Sequence, residues 1–171
     1  METDTLKTCC FLGHRKIEIN EELTNQLHRI IENLITEKNV DTFLFGSKSD
    51  FDSLCFKVVT ELQKKYSRIR RVYVRAEFSY IQNESKHLLK SCDETYFPER
   101  IVNAGRAVYV ERNYEMIDKS EFCVFYFNED YLPPRRKNSR RDLWDYQPKS
   151  GTAVAFEYAE RKKKTIFNVA K

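Results

Sequence analysis

A chain of 171 residues that is 41% apolar and 13% aromatic can fill one sizeable core, so a single domain spanning residues 1–171 is expected. Its net charge of only +4, with the two signs interspersed, is no nucleic-acid signature by itself. Five cysteines with no CxxC pair and no histidine at zinc-finger spacing support neither a structural zinc nor a thioredoxin motif.

Their odd number, with four of them in apolar or amphipathic runs, suits reduced thiols. No apolar window reads as a membrane span or signal peptide. A soluble cytoplasmic protein with no metal, no cofactor and no membrane partner is expected.

In chain order, residues 8–12 form a short apolar run of β type. Asn20 is placed to cap an amphipathic helix carrying Leu23, Leu27, Ile30, Ile31 and Leu34 on one face. Residues 42–45 predict a second strand. From Ser49 or Asp50 the spacing of Phe51, Leu54, Cys55, Val58, Val59 and Leu62 is again helical, and residues 69–74 predict a third strand. Residues 80–90 read as helical, 94–97 as a short strand, and Gly105 precedes a further helix expected to end near Ser120. Residues 122–127 are almost wholly apolar, as in a strand covered on both faces. A long basic and aromatic loop, 128–149, follows, with Pro133, Pro134, Arg135, Arg136, Lys137, Arg140, Arg141 and the only tryptophan, Trp144. A loop of that length is usually functional or mobile, and its basic run reads equally as a solvated loop. Residues 151–163 predict the last helix and 165–169 the last strand. This alternation predicts a single Rossmann-like three-layer α/β/α domain with a mostly parallel sheet. Ligands of such folds sit at the carboxyl ends of strands, near a switch in strand order.

Three of the four glycines, Gly13, Gly46 and Gly151, stand at predicted strand ends or at a helix start. A residue without a side chain frees the backbone and lets a ligand approach it closely, so a cleft is expected where the three converge. Gly13-His14-Arg15 sets a ring and a guanidinium beside the first turn. Such groups can grip a phosphate or shuttle a proton, although three residues alone favour a solvated loop. Gly46-Ser47-Lys48-Ser49-Asp50-Phe51-Asp52 joins a strand to a helix, where free amides and hydroxyls can receive an anion. It is not a Walker loop and lacks the glycines of the dinucleotide fingerprint. Asp50 reads as the helix cap, whereas Asp52, one turn in, is placed to meet a ribose hydroxyl. Ser150-Gly151-Thr152 is the best local anion site, and reads equally as an ordinary N-cap. Trp144 or Tyr146 could stack on a base above it, with the loop arginines on phosphates. Arg112 could pair within its helix with Glu115 or Asp118, and His28 and His87 read as structural or surface residues.

Taken in order, Cys10-Phe11-Leu12-Gly13-His14-Arg15, Phe45-Gly46 with Asp52, residues 112–120 beginning Arg112-Asn113-Tyr114, and Ser150-Gly151-Thr152 with Tyr158-Ala159 resemble the SLOG superfamily. The similarity spans nearly the whole chain and is strongest to the small YpsA-like members. It implies a Rossmann-like sheet whose turns bind nucleotides or nucleotide-derived ligands. It also implies roles for Gly13, His14 and Arg15 in the first turn, Gly46 and Asp52 in the second, Arg112 and Asn113 in a later crossover, and Gly151 and Thr152 at the phosphate end. The chain departs from the family at Asp50 and Ser150, where YpsA-like sequences usually carry glycine. It departs from the hydrolase branch at Val154 and Ala155, where a glutamate pair is usual. Without a carboxylate there, ribose polarisation lacks its customary group.

Non-catalytic binding or sensing of a nucleotide or ADP-ribose-like ligand is therefore the first function expected, within stress or phage-related signalling as the resemblance implies. Its ligand-binding residues would be Gly13, His14, Arg15, Gly46, Ser47, Asp52, Arg112, Asn113, Ser150, Gly151 and Thr152. The alternative is a nucleotide N-glycoside hydrolase or transferase with Glu111 or Asp52 as the working carboxylate. A weaker third is single-stranded DNA binding through residues 135–141 and nearby aromatics, although nucleic acid is not the expected partner. The resemblance, together with the Phe and Tyr richness, also allows a homodimer.

Overall fold

The computed structural model describes residues 5–76, 91–131 and 150–171. The expected helix at 80–90 with His87, the basic cluster at 135–141, Trp144 and Tyr146 lie outside them. Among the described residues the chain forms six strands and four α-helices: β1 (Lys7–Gly13), α1 (Glu21–Glu37), β2 (Val40–Phe45), α2 (Asp50–Lys65), β3 (Arg70–Val74), β4 (Glu94–Tyr96), α3 (Val108–Asp118), β5 (Phe122–Tyr126), α4 (Gly151–Arg161) and β6 (Thr165–Asn168). No helix among these residues is long and apolar enough to cross a membrane.

Local chemistry starts the helices where the sequence predicts. Asn20 Oδ1 accepts from the Leu23 amide at 2.8 Å, satisfying a donor that the helix leaves unpaired. The apolar stripe of α1 then buries Leu23, Leu27, Ile31, Leu34 and Ile35, while Ile30 sits half-buried at its margin. In α2 the six expected apolar residues are all buried. The α2 cap is Ser49, whose Oγ accepts from the Asp52 amide at 3.0 Å, and not Asp50. Asp50 instead ties α2 to the loop after β1: its amide donates to the Arg15 carbonyl at 3.0 Å and its Oδ2 accepts from the Ile17 amide at 3.4 Å. Gly105 precedes α3, as the sequence predicts. It lies in a 3-10 turn with φ +56, a conformation that glycine tolerates, and the α-helix starts three residues later.

The sheet runs β4-β3-β2-β1-β5-β6 and every neighbouring pair is parallel. Period-two alternation divides the strands between two cores. Cys9, Phe11, Phe43, Phe45 and Val124 pack with α1 and α2 on one face, and Cys10, Leu12, Leu44, Cys123 and Phe125 pack with Met116, Ile117, Ala155 and Ala159 of α3 and α4 on the other. The result is the three-layer Rossmann-like arrangement. Complete burial of side chains such as Leu27 and Ile31 contributes about 1.5–3 kcal/mol each. The chain builds outward from β1 to β4 and then crosses back to lay β5 on the other flank of β1. Gly13 pairs with Tyr126 at the carboxyl end of this switch, beside the end of β2.

The short edge strand β4 is held by one carboxylate. Asp93 Oδ2 accepts from the Arg71 amide at 2.8 Å and from Gln63 at 2.8 Å, and both carboxylate oxygens take the Arg71 guanidinium at 3.1 Å. Partial burial raises its pKa, but these donors outweigh burial and hold it at about 2. Because the folded value lies below the unfolded one, the stabilisation is complete above about pH 4 and is lost as pH falls towards 2. Asp93→Asn is expected to cost about 1 kcal/mol near neutrality, discounted for partial exposure, and nothing below about pH 2. Urea unfolding of both proteins across that range measures it.

Candidate functional site

The turn after β2 is fixed from both sides by buried charge. Asp52 Oδ2 accepts from the amides of Gly46 at 3.1 Å and Ser47 at 2.7 Å. From α3, Arg112 Nη1 donates to the Gly46 carbonyl, and Arg112 Nε donates to Asn113 Oδ1 at 3.0 Å. Asp52 is 2% exposed and Arg112 is 6% exposed. Burial raises the Asp52 pKa to about 6, against the pull of the two amides and the Arg112 charge. The carboxylate faces the turn and does not line the cleft beyond it, so it is not placed to meet a ribose hydroxyl.

Neither strand-end glycine is left open for a ligand. A Cβ on Gly46 would lie 2.6 Å from Met116 Sδ and 2.7 Å from Arg112 Cδ, and one on Gly13 would lie 2.6 Å from Phe51 Cβ. Both glycines are small because the protein's own side chains press on the main chain there. Gly151 is the opposite case, with nothing within 4 Å of a Cβ.

In the first turn, His14 is 2% exposed. Its Nε2 accepts from the Asn128 amide at 2.8 Å, so the neutral ring carries its proton on Nδ1, which has no partner and is sealed from solvent. Burial holds the pKa below its ordinary value. The ring stacks on Tyr131 with centroids 4.0 Å apart, fastening the segment after β5 to the end of β1. Arg15 is exposed beside it.

At α4, Ser150 is an N-cap: its Oγ accepts from the Ala153 amide at 3.0 Å and its carbonyl from Val154 at 3.1 Å. That leaves the Gly151 and Thr152 amides at a helix start with no acidic residue in its first turn. At α2 the first turn carries Asp50 and Asp52. An anion is therefore favoured at α4, where amide dipoles are unopposed, and disfavoured at α2.

These pieces border one cleft of about 690 Å³ at the strand switch. Gly13, His14, Arg15, Gly46, Ser47, Arg112, Asn113, Ser150, Gly151 and Thr152 all line it, and Asp52 does not. Sequence reasoning missed Lys48, Tyr73, Tyr109 and Tyr131, which line it too. Position gives the available signal: Tyr73 stands next to last on β3, and Lys48 stands in the turn before α2. Arg15 and Lys48 are exposed, and among the described residues neither forms an ion pair. Among the described residues no Asp or Glu lines the cleft.

Glu111 points elsewhere. Its Oε2 accepts from Arg100 Nε at 3.0 Å, in a cluster where Arg100 also reaches Asp118 at 2.8 Å. Arg112 pairs with neither Glu115 nor Asp118 through any of these bridges; those two acids face Lys119 and Arg100. Among the described residues no group of three His, Cys, Asp or Glu is arranged to hold a metal. No protein-family model matches the chain, and no curated protein matches it.

Gly13→Ala and Gly46→Ala are each expected to destabilise by roughly 1–3 kcal/mol through overpacking. Gly151→Ala should stay within about 0.5 kcal/mol of the parent. Denaturant unfolding distinguishes the two classes; equal small effects at all three would show that the strand-end glycines are not packing positions.

Proposed function

We propose that the cleft binds a nucleotide or nucleotide-derived, ADP-ribose-like small ligand and holds it without cleaving it. One observation carries this: the Gly151 and Thr152 amides at the α4 start share a single cleft with the exposed cations Arg15 and Lys48, and among the described residues no carboxylate lines it. Such walls attract a phosphate, with the Thr152 hydroxyl as a further donor. Tyr73, Tyr109 and Tyr131 supply rings at the same cleft, and base stacking on an aromatic contributes about 1–3 kcal/mol. A volume near 690 Å³ falls in the range of small-molecule sites.

Binding without turnover is favoured by the two carboxylates considered as catalysts. Glu111 is committed to Arg100 and Asp52 to the β2 turn, and neither faces the cleft. The motif series that resembles the SLOG superfamily supports the same function, and membership of that superfamily is part of the proposal.

Thermal unfolding with AMP, other nucleoside monophosphates and ADP-ribose, followed by chromatography of each mixture, tests it. A ligand at about 100 times its Kd stabilises by about 2.7 kcal/mol, a rise in Tm of roughly 5–10 °C for a chain of this size. The Arg15→Ala, Lys48→Ala double variant is expected to lose that rise. Release of a free base would instead establish an N-glycosidase, and no shift with any of these compounds would remove the nucleotide assignment.

A further inference from the structure

Asp52 stands where a ligand's anion would otherwise stand. The amides of Gly46 and Ser47 directly follow β2 and border the cleft, yet both donate inward to one buried oxygen, Asp52 Oδ2. The other oxygen, Oδ1, has no partner and is sealed from solvent. The Gly46 carbonyl is held by Arg112, which fixes the Gly46–Ser47 peptide unit with its Ser47 N–H turned inward to Asp52. A carboxylate of the protein thus fills, from the core side, the amide pair that a strand-to-helix turn commonly offers to a phosphate.

We propose that Asp52 is a positioning residue for the ligand: it closes the β2 turn to anions, directs the anionic end to the start of α4, and couples ligand affinity to its own charge. This rests on the nucleotide reading of the cleft. The titratable and charged groups facing Asp52 are Arg112 from α3, Cys10 from β1 and Cys55 from α2. Burial foremost, with the Asp52 charge adding to it, pushes both thiols well above their ordinary range, so they stay neutral. An arginine stays charged throughout. Asp52, at about 6, is the member of this cluster that changes charge in the mildly acidic range. An anion in the cleft disfavours the ionised carboxylate, and by reciprocity protonation of Asp52 favours the anion. Affinity therefore rises as pH falls.

ADP-ribose is the probe, because its bridging phosphates do not titrate in this range while a terminal phosphate would. Calorimetry is run on the wild type and on Asp52→Asn, which keeps an oxygen for the two amides and removes the charge. The wild type is expected to bind at least about fivefold more tightly at pH 5 than at pH 7.5, and Asp52→Asn to show a ratio near one. His14, whose pKa burial lowers, lines the cleft in both proteins, so the comparison of the two ratios isolates Asp52. In the ligand-free wild type, hydrogen exchange at the Gly46 and Ser47 amides is expected to be at least about tenfold slower than at Lys48. Equal pH ratios in the two proteins, or unprotected Gly46 and Ser47 amides, overturn the inference. Absence of ADP-ribose binding at either pH sinks the nucleotide reading instead, and this inference with it.

Discussion

One residue, Gly46, is gripped at both ends of its backbone by buried charge. Its amide donates to Asp52 and its carbonyl accepts from Arg112, so a carboxylate on α2 and a guanidinium on α3 meet at the end of β2 from opposite faces of the sheet. The grip demands a residue without a side chain at position 46, since Met116 and Arg112 already occupy the space of a Cβ. It also sets one wall of the cleft. The shape of the site and the packing of two layers are consequences of the same few contacts.

The two helix starts that meet the cleft are electrically unlike. The α2 start carries two carboxylates of its own, and its preceding amides are spent on one of them. The α4 start has a serine cap, an unobstructed glycine and no acid. An incoming anion thus finds its dipole and its free donors at one end only, with Arg15 and Lys48 adding attraction from the loops. The tyrosines border the remaining volume. His14 contributes differently: neutral and buried, it locks the segment after β5 against β1 by one hydrogen bond and one ring stack.

Much of this was legible before any coordinates. The 3.6-residue spacing in α1 and α2 named nearly every buried residue, because an amphipathic face obeys local geometry. The β-α alternation gave the layered fold, and the actual sheet is parallel throughout. Boundaries were less legible. Gly105 reads as preceding a helix without fixing its first residue; its left-handed backbone belongs to a 3-10 turn, and α3 begins three residues later. Ser49 and Asp50 compete for one cap, and the loop after β1, more than thirty residues earlier, settles which carboxylate is drawn away.

The sequence alone determined which residues could bury, how the elements alternate and which turns would gather at the strand switch, since each follows from periodicity and from the chirality of crossovers. Tertiary structure alone decided what each turn does. Glycine at a strand end marks that something comes close, but whether a ligand or Phe51 comes close depends on a helix packed across the sheet. Likewise a carboxylate one turn into α2 looks the same on paper whether it faces solvent, ribose or its own backbone. Its direction is set by the turn geometry and by burial beside Arg112, and those are long-range facts that no local pattern encodes.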